Sequence, residues 1–179
     1  MKVSTRCTLI VMRGYPGTGK STIARMLAMT LRVPLIDRDV IRQTGVDTLG
    51  EIAEIGWLSY ELMFAFAREQ LKLGLSVVID SPLTYYNTYV QARQIAETLH
   101  VPMLVVHCQC AEELQRRRLE GRKGEVATFQ ITSWKEWLRW KPRFEYFEDH
   151  GCVLDTGKPL DESLARVESA LQVLHANVP

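Results

Sequence analysis

Gly14-Tyr15-Pro16-Gly17-Thr18-Gly19-Lys20-Ser21 fits the pattern G-x-x-x-x-G-K-[ST] at every fixed position. The stretch follows a strand-like segment at residues 8–13 with the apolar run Leu9 to Met12 at its centre, and opens a segment in which Ile23, Met26, Leu27 and Leu31 recur at helical spacing. Strand, glycine-rich turn and helix, in that order, form the setting in which this motif cradles phosphate. Glycines let successive backbone N–H groups close around phosphate oxygens, and the helix N-terminus adds the positive end of its dipole. Residues 14–22, including Thr22, are therefore expected to bind ATP. Lys20 would reach the β- and γ-phosphates, the Ser21 hydroxyl would ligate Mg²⁺, and Thr22 would touch the α-phosphate.

Outward from this loop, short apolar runs alternate with longer helical patterns. That alternation predicts an α/β fold around a parallel sheet. Strands are expected at 8–13, 34–37, 76–80, 103–108 and 152–155, and helices at 19–32, 52–73, 87–99, 111–119 and 160–175. Gly74 suits the end of the second of these helices, because it lacks a Cβ. Trp134, Trp137 and Trp140 stand three apart among basic residues, which describes either a packed helix face or a base-stacking surface.

Composition sets limits. The chain has 179 residues, 46% apolar and 24% charged, with a formal net charge of +1. It is read as one domain over 1–179, large enough for its own core. Near-neutral charge gives no global attraction to nucleic acid or anionic lipid. No run approaches the roughly 18 apolar residues of a membrane span, so no membrane partner is expected. The apolar start reads as a buried strand, not a secretory leader. Cys7, Cys108, Cys110 and Cys152 show no zinc-ligand spacing and read as reduced core cysteines of a cytoplasmic protein.

Asp80 ends the apolar run Val77-Val78-Ile79, so its carboxylate should emerge at the C-terminal edge of the sheet, where α/β folds bind ligands. It is the natural second metal-side group beside Ser21. The alternative is an ordinary loop-starting cap. A hydroxyl attacking the γ-phosphate also needs its proton accepted at contact distance, and Asp39 or Asp37 stands where a carboxylate could do so. Asp37, as the last strand residue, could instead cap the following helix.

Arg38-Asp39 with Arg42, Asp80-Ser81, and the arginines after the fourth strand, added to the phosphate loop, resemble the small P-loop kinases. The order is similar to that of polynucleotide 5′-hydroxyl kinases, whose R-D-x-x-R motif supplies a general-base aspartate and a partnering arginine, and to the chloramphenicol phosphotransferase and gluconate kinase groups. Closer still are the AAA-like ATP-binding proteins of plants and bacteria, with GHPGTGKST-type loops, PLIDKDD-type second strands and LSVVxDSPL-type third strands. The counterparts here are residues 14–22, 34–40 and 75–83. This resemblance implies a three-layer P-loop NTPase fold, nucleoside-kinase-like, with a five-stranded parallel sheet in the order 2-3-1-4-5, helices on both faces and a lid. It favours Asp39 as the base and gives Arg42 a place facing Asp39 or the acceptor.

The lid implied by the resemblance spans 111–132, where Arg116, Arg117, Arg118 and Arg122 crowd together. Arg118 and Arg122, four apart, are the expected pair over the transferring phosphate. A solvated basic face is the alternative for each. Residues 155–159 resemble the D-T/S-x-x-P turn that lines the adenine pocket in this fold, which makes Gly157 and Lys158 adenine-site candidates. Residues 45–74 would select the acceptor, with Tyr60, Glu61 and Phe64 as candidates there and Tyr85, Tyr86 and Asn87 beside the same mouth.

The expected activity is ATP- and Mg²⁺-dependent transfer of phosphate to a hydroxyl of a small molecule or nucleotide. A polynucleotide 5′-hydroxyl is a second acceptor to consider, so short nucleic-acid ends are possible partners. An ATP-binding switch without an acceptor is the reading from a different functional class.

Overall fold

The computed structural model describes residues 6–121, 131–145, 147–149 and 151–177. Five strands form one sheet: β1 Leu9–Arg13, β2 Leu35–Asp37, β3 Val77–Asp80, β4 Met103–Gln109 and β5 Cys152–Asp155. They lie in the order β2-β3-β1-β4-β5, all parallel, which is the expected order. Strand β1 is central and buried throughout. Its alternate residues serve two cores: Leu9 and Val11 face one, Ile10 and Met12 the other. A parallel strand covered on both faces reads as continuously apolar for this reason.

The first core is closed by α3, Ile55–Lys72, and α4, Tyr86–Thr98, through Tyr60, Met63, Phe64, Ala67, Ala92 and Ile95. Burial of a side chain such as Phe64 contributes about 1.5–3 kcal/mol. The second core is closed by α1, Lys20–Leu31, and α7, Leu160–Ala176, through Ile23, Leu27, Val167 and Leu171. Gly74, at φ 77°, ends α3, and the Leu75 N–H returns to the Gln70 carbonyl at 3.1 Å.

Three further helices stand at the C-terminal edge of the sheet: α2 Arg38–Leu49, α5 Glu112–Glu120 and α6 Trp134–Trp140, the last followed by a 3-10 turn at Lys141–Arg143. The long helix expected from residue 52 begins at Ile55, and 38–49 forms a helix of its own. All four cysteines are free. Among the described residues, no helix is long and apolar enough to cross a membrane.

Candidate active site

The phosphate loop leaves β1 at Gly14, where backbone packing permits no side chain. A Cβ there would lie 2.5 Å from the Cys108 carbonyl oxygen and 2.8 Å from Thr18 Oγ1. Thr18 closes the turn by donating from both its N–H (3.2 Å) and its hydroxyl (2.8 Å) to the Tyr15 carbonyl. Gly19, at φ 80°, then starts α1, so the helix opens with its free N–H groups at the loop. Tyr15 leaves the loop sideways and packs on Trp137 (ring centroids 4.8 Å apart) and Phe144 (5.4 Å). The second position of the phosphate loop thus belongs to an aromatic cluster shared with α6.

Lys20 ion-pairs with Asp80, which is 2% exposed at the end of β3, and its Nζ lies 3.5 Å from Ser21 Oγ. Burial opposes charge on Lys20, but Asp80, helped by Asp39 and Asp37, outweighs it and holds the lysine above its usual value. Asp37 is the register partner of Asp80 across β2 and β3. Burial, then the Asp80 and Asp39 carboxylates, push Asp37 up from the usual carboxylate value. Its Oδ1 accepts from the Asp39 N–H at 2.9 Å, so it caps α2. Behind the loop, burial pushes the Cys108 thiol up to about 12, which leaves it an inert core group.

A cavity of about 720 Å³ opens in front of the phosphate loop. Gly14, Tyr15, Pro16, Gly17, Gly19, Lys20, Ser21 and Thr22 form one side of it. Asp39, Arg38 and Arg42 from α2 form another, and Trp57, Tyr60 and Tyr85 a third. Asp39 therefore shares a chamber with Lys20, whereas Asp37 does not line it. Arg42 makes a 2.8 Å ion pair with Glu51. Arg38, overlooked from sequence except as part of its motif, has a side chain only 12% exposed and lies with its guanidinium 4.2 Å from the Tyr60 ring centroid. Of the expected acceptor-side residues, Phe64 is buried in the first core and Glu61 accepts a hydrogen bond from Gln91 on α4 at 3.1 Å.

A second cavity, of about 410 Å³, meets the first at Gly17, Gly19 and Thr22 and is bordered by Arg118, Thr156 and Lys158. Arg118 donates to Thr156 Oγ1 (2.9 Å) and to the Thr156 carbonyl (2.8 Å), and the Thr156 hydroxyl donates to the Thr18 carbonyl (2.6 Å). Gly157 is held in its turn by an N–H bond to Asp155 Oδ1 at 2.9 Å. Arg116 pairs with Glu120 on the surface at 3.0 Å, and Arg117 is exposed. Arg122, with the lid segment 122–130, lies outside the described residues.

A strand–loop–helix phosphate cradle with a buried lysine–aspartate pair, on a sheet of this order, defines a P-loop nucleotide-binding domain with a kinase-type fold. The family model described as an AAA domain matches residues 9–146, and the chain belongs to that family. An uncharacterized protein of Mycobacterium tuberculosis is 26% identical over 178 residues, with 88% of this chain and 33% of that protein covered. The chain thus spans about a third of the length of the curated relative. Among solved structures, a protein of Chloroflexus aurantiacus described as a candidate kinase superposes with a TM-score of 0.76 at 20% identity, covering 94% of this chain and 98% of that one. The M. tuberculosis APS kinase, in complex with AMPPNP and APS, gives a TM-score of 0.68 at 17% identity, covering 93% and 98%. At such identities the likeness shows the fold.

Proposed function

We propose that the protein is an ATP-dependent phosphotransferase that moves the γ-phosphate to a hydroxyl of a small molecule or nucleotide. The observation that carries this reading is the shared chamber: Asp39 and the phosphate loop line one cavity, with room between them for a second molecule. An acceptor oxygen attacks the γ-phosphorus and its proton passes to Asp39. The bond from phosphorus to the β,γ-bridging oxygen breaks, and its electron pair leaves with ADP. Asp37 is less suited to the role, because one of its oxygens caps α2 and it lies off the chamber wall.

Ser21 and Asp80 would hold Mg²⁺. Both have an oxygen against Lys20 Nζ, and a hydroxyl beside a carboxylate suits a hard cation. The ion, when bound, neutralises charge on the phosphates. The nucleotide base belongs in the smaller cavity, where Arg118 and Lys158 border it. In that arrangement Arg118 holds the nucleotide from the base side, and Arg122 is left as the proposed arginine over the transferring phosphate. Free thiols fit a reducing compartment such as the cytosol.

The test is an acceptor library read by ADP release, with wild type and Asp39→Asn in parallel. Short RNA and DNA ends belong in it, since Trp140 and Arg143 line the same cavity and can stack on bases. Acceptor-stimulated turnover that Asp39→Asn abolishes supports the proposal. Tight ATP binding with no stimulation by any acceptor overturns it in favour of a nucleotide-dependent switch.

A further inference from the structure

The chamber in front of Asp39 has a chemical character of its own. Arg38 is nearly buried, yet among the described residues its hydrogen bonding is sparse. Its Nη1 reaches Asp39 Oδ1 at only 3.4 Å, and its Nε is buried with no hydrogen-bond partner. The guanidinium is propped on the Tyr60 ring, which fixes its plane without using its donors. Asp39 gives this cation a single ion-pair contact, and the donors left over are costly unless a further anion takes them up. The neighbouring cations of the chamber are engaged elsewhere, Lys20 with Asp80 and Arg42 with Glu51.

Beside Arg38 lies an aromatic shelf. Trp57 stacks on Tyr85 with centroids 5.8 Å apart and planes at 28°, and leans on Tyr60 at 6.2 Å. Trp57 is nevertheless 56% exposed, a large apolar plane left facing the chamber. Around the shelf stand Ala53, Gly56 and Pro82. Those three residues offer no side-chain donor or acceptor, which favours a flat ring over a polyol, whose several hydroxyls would have only Thr84 and the polar edges of the shelf's own rings to bond. A flat ring would lose nothing.

We propose that the acceptor is an anionic aromatic compound of the nucleotide type, with its phosphate or other anion on Arg38, its planar ring on the Trp57–Tyr85 shelf and a hydroxyl presented to Asp39. This rests on the phosphotransferase reading for its last element alone. The reaction is unchanged: the hydroxyl oxygen takes the γ-phosphoryl group, Asp39 takes the proton, and ADP leaves with the electron pair.

Binding tests it apart from turnover. Wild-type protein saturated with AMPPNP, so that the ATP site is filled, is titrated with nucleoside 3′- and 5′-monophosphates, the parent nucleosides, ribose 5-phosphate and gluconate. A 5′-hydroxyl trinucleotide separates a strand end from a free nucleotide, and either keeps the anion and the ring. The best nucleotide is expected to bind at least about tenfold more tightly than its nucleoside, which lacks the charged contact, and than ribose 5-phosphate, which lacks the stacked ring. Arg38→Gln should reduce the nucleotide to the level of the nucleoside, and Trp57→Ala to that of ribose 5-phosphate, in variants whose circular dichroism matches wild type. Equal binding of nucleoside and nucleotide, equal binding of ribose 5-phosphate or gluconate, or no binding at all overturns the proposal, and needs no variant to do so. If the expected pattern appears without ADP release, the phosphotransferase reading fails and the pocket assignment stands. If only neutral polyols drive ADP release, the opposite holds.

Discussion

Arg118 reaches from α5 to Thr156 after β5, gripping both its hydroxyl and its carbonyl, while that hydroxyl donates to Thr18 in the phosphate loop. The root of the expected lid is thereby braced against the loop at the smaller cavity, whereas Asp39 lines the larger one. Arg118→Ala should accordingly weaken nucleotide binding by about tenfold, the worth of one charged hydrogen-bonding group, and lower kcat much less. Steady-state KM for ATP and kcat measure the split. A fall in kcat of about 10³ or more at constant KM would instead show Arg118 acting on the transferring phosphate.

Removing Lys20 should cost more than activity. Lys20→Ala leaves the Asp80 carboxylate, 2% exposed, without its cation, and such a loss destabilises by about 3–5 kcal/mol. The double variant Lys20→Ala with Asp80→Asn should recover most of that stability and none of the turnover. Urea denaturation of the two variants checks it. Equal stability of both would mean the pair is not coupled.

Asp39→Asn should retain ATP binding and slow phosphoryl transfer by the 10² to 10⁴ or so that a general base supplies. Single-turnover transfer with a responsive acceptor reads this directly. Wild-type transfer by Asp39→Asn alongside a crippled Asp37→Asn would move the base to Asp37.

Stability should also change with pH through Asp37. Burial, with Asp80 and Asp39 beside it, raises this carboxyl above its unfolded value. A group raised in the folded state favours folding while protonated, and that contribution disappears as pH rises through the folded value. Asp37→Asn can still cap α2 but no longer titrates. Its stability relative to wild type should therefore increase from about pH 3 to about pH 7. Urea midpoints across that range provide the measurement, and a pH-independent difference would contradict the role given to burial.

Much of this arrangement was legible in the chain. The phosphate loop, the five strands and the place of Asp80 depend on local pattern, since a covered parallel strand must be apolar and its last residue must emerge at the sheet edge. Helix α2 was not delimited, because none of its residues is buried and no apolar stripe marks it. The tryptophans at 134, 137 and 140 looked like one face, yet three residues turn a helix by only about 300°, so each step rotates the ring away. Trp137 is 1% exposed, whereas Trp140 is 39% exposed under Arg143. Arg38 and Trp57 gain their significance from Tyr60 and Tyr85, contacts that no spacing along the chain reveals.

Arg13, the residue just before the phosphate loop, ends β1. Its guanidinium pairs with Asp149, donates to the Phe147 carbonyl at 2.9 Å and lies 3.8 Å from the Phe147 ring centroid. A lysine has one compact charge and could not serve carboxylate, carbonyl and ring together. Through that fork the chain more than 130 residues downstream is pinned to the threshold of the loop. The wall that Phe144 and Trp140 contribute is thus moored to the loop twice, in front by Tyr15 packed on Phe144 and from behind by an arginine that lines neither cavity.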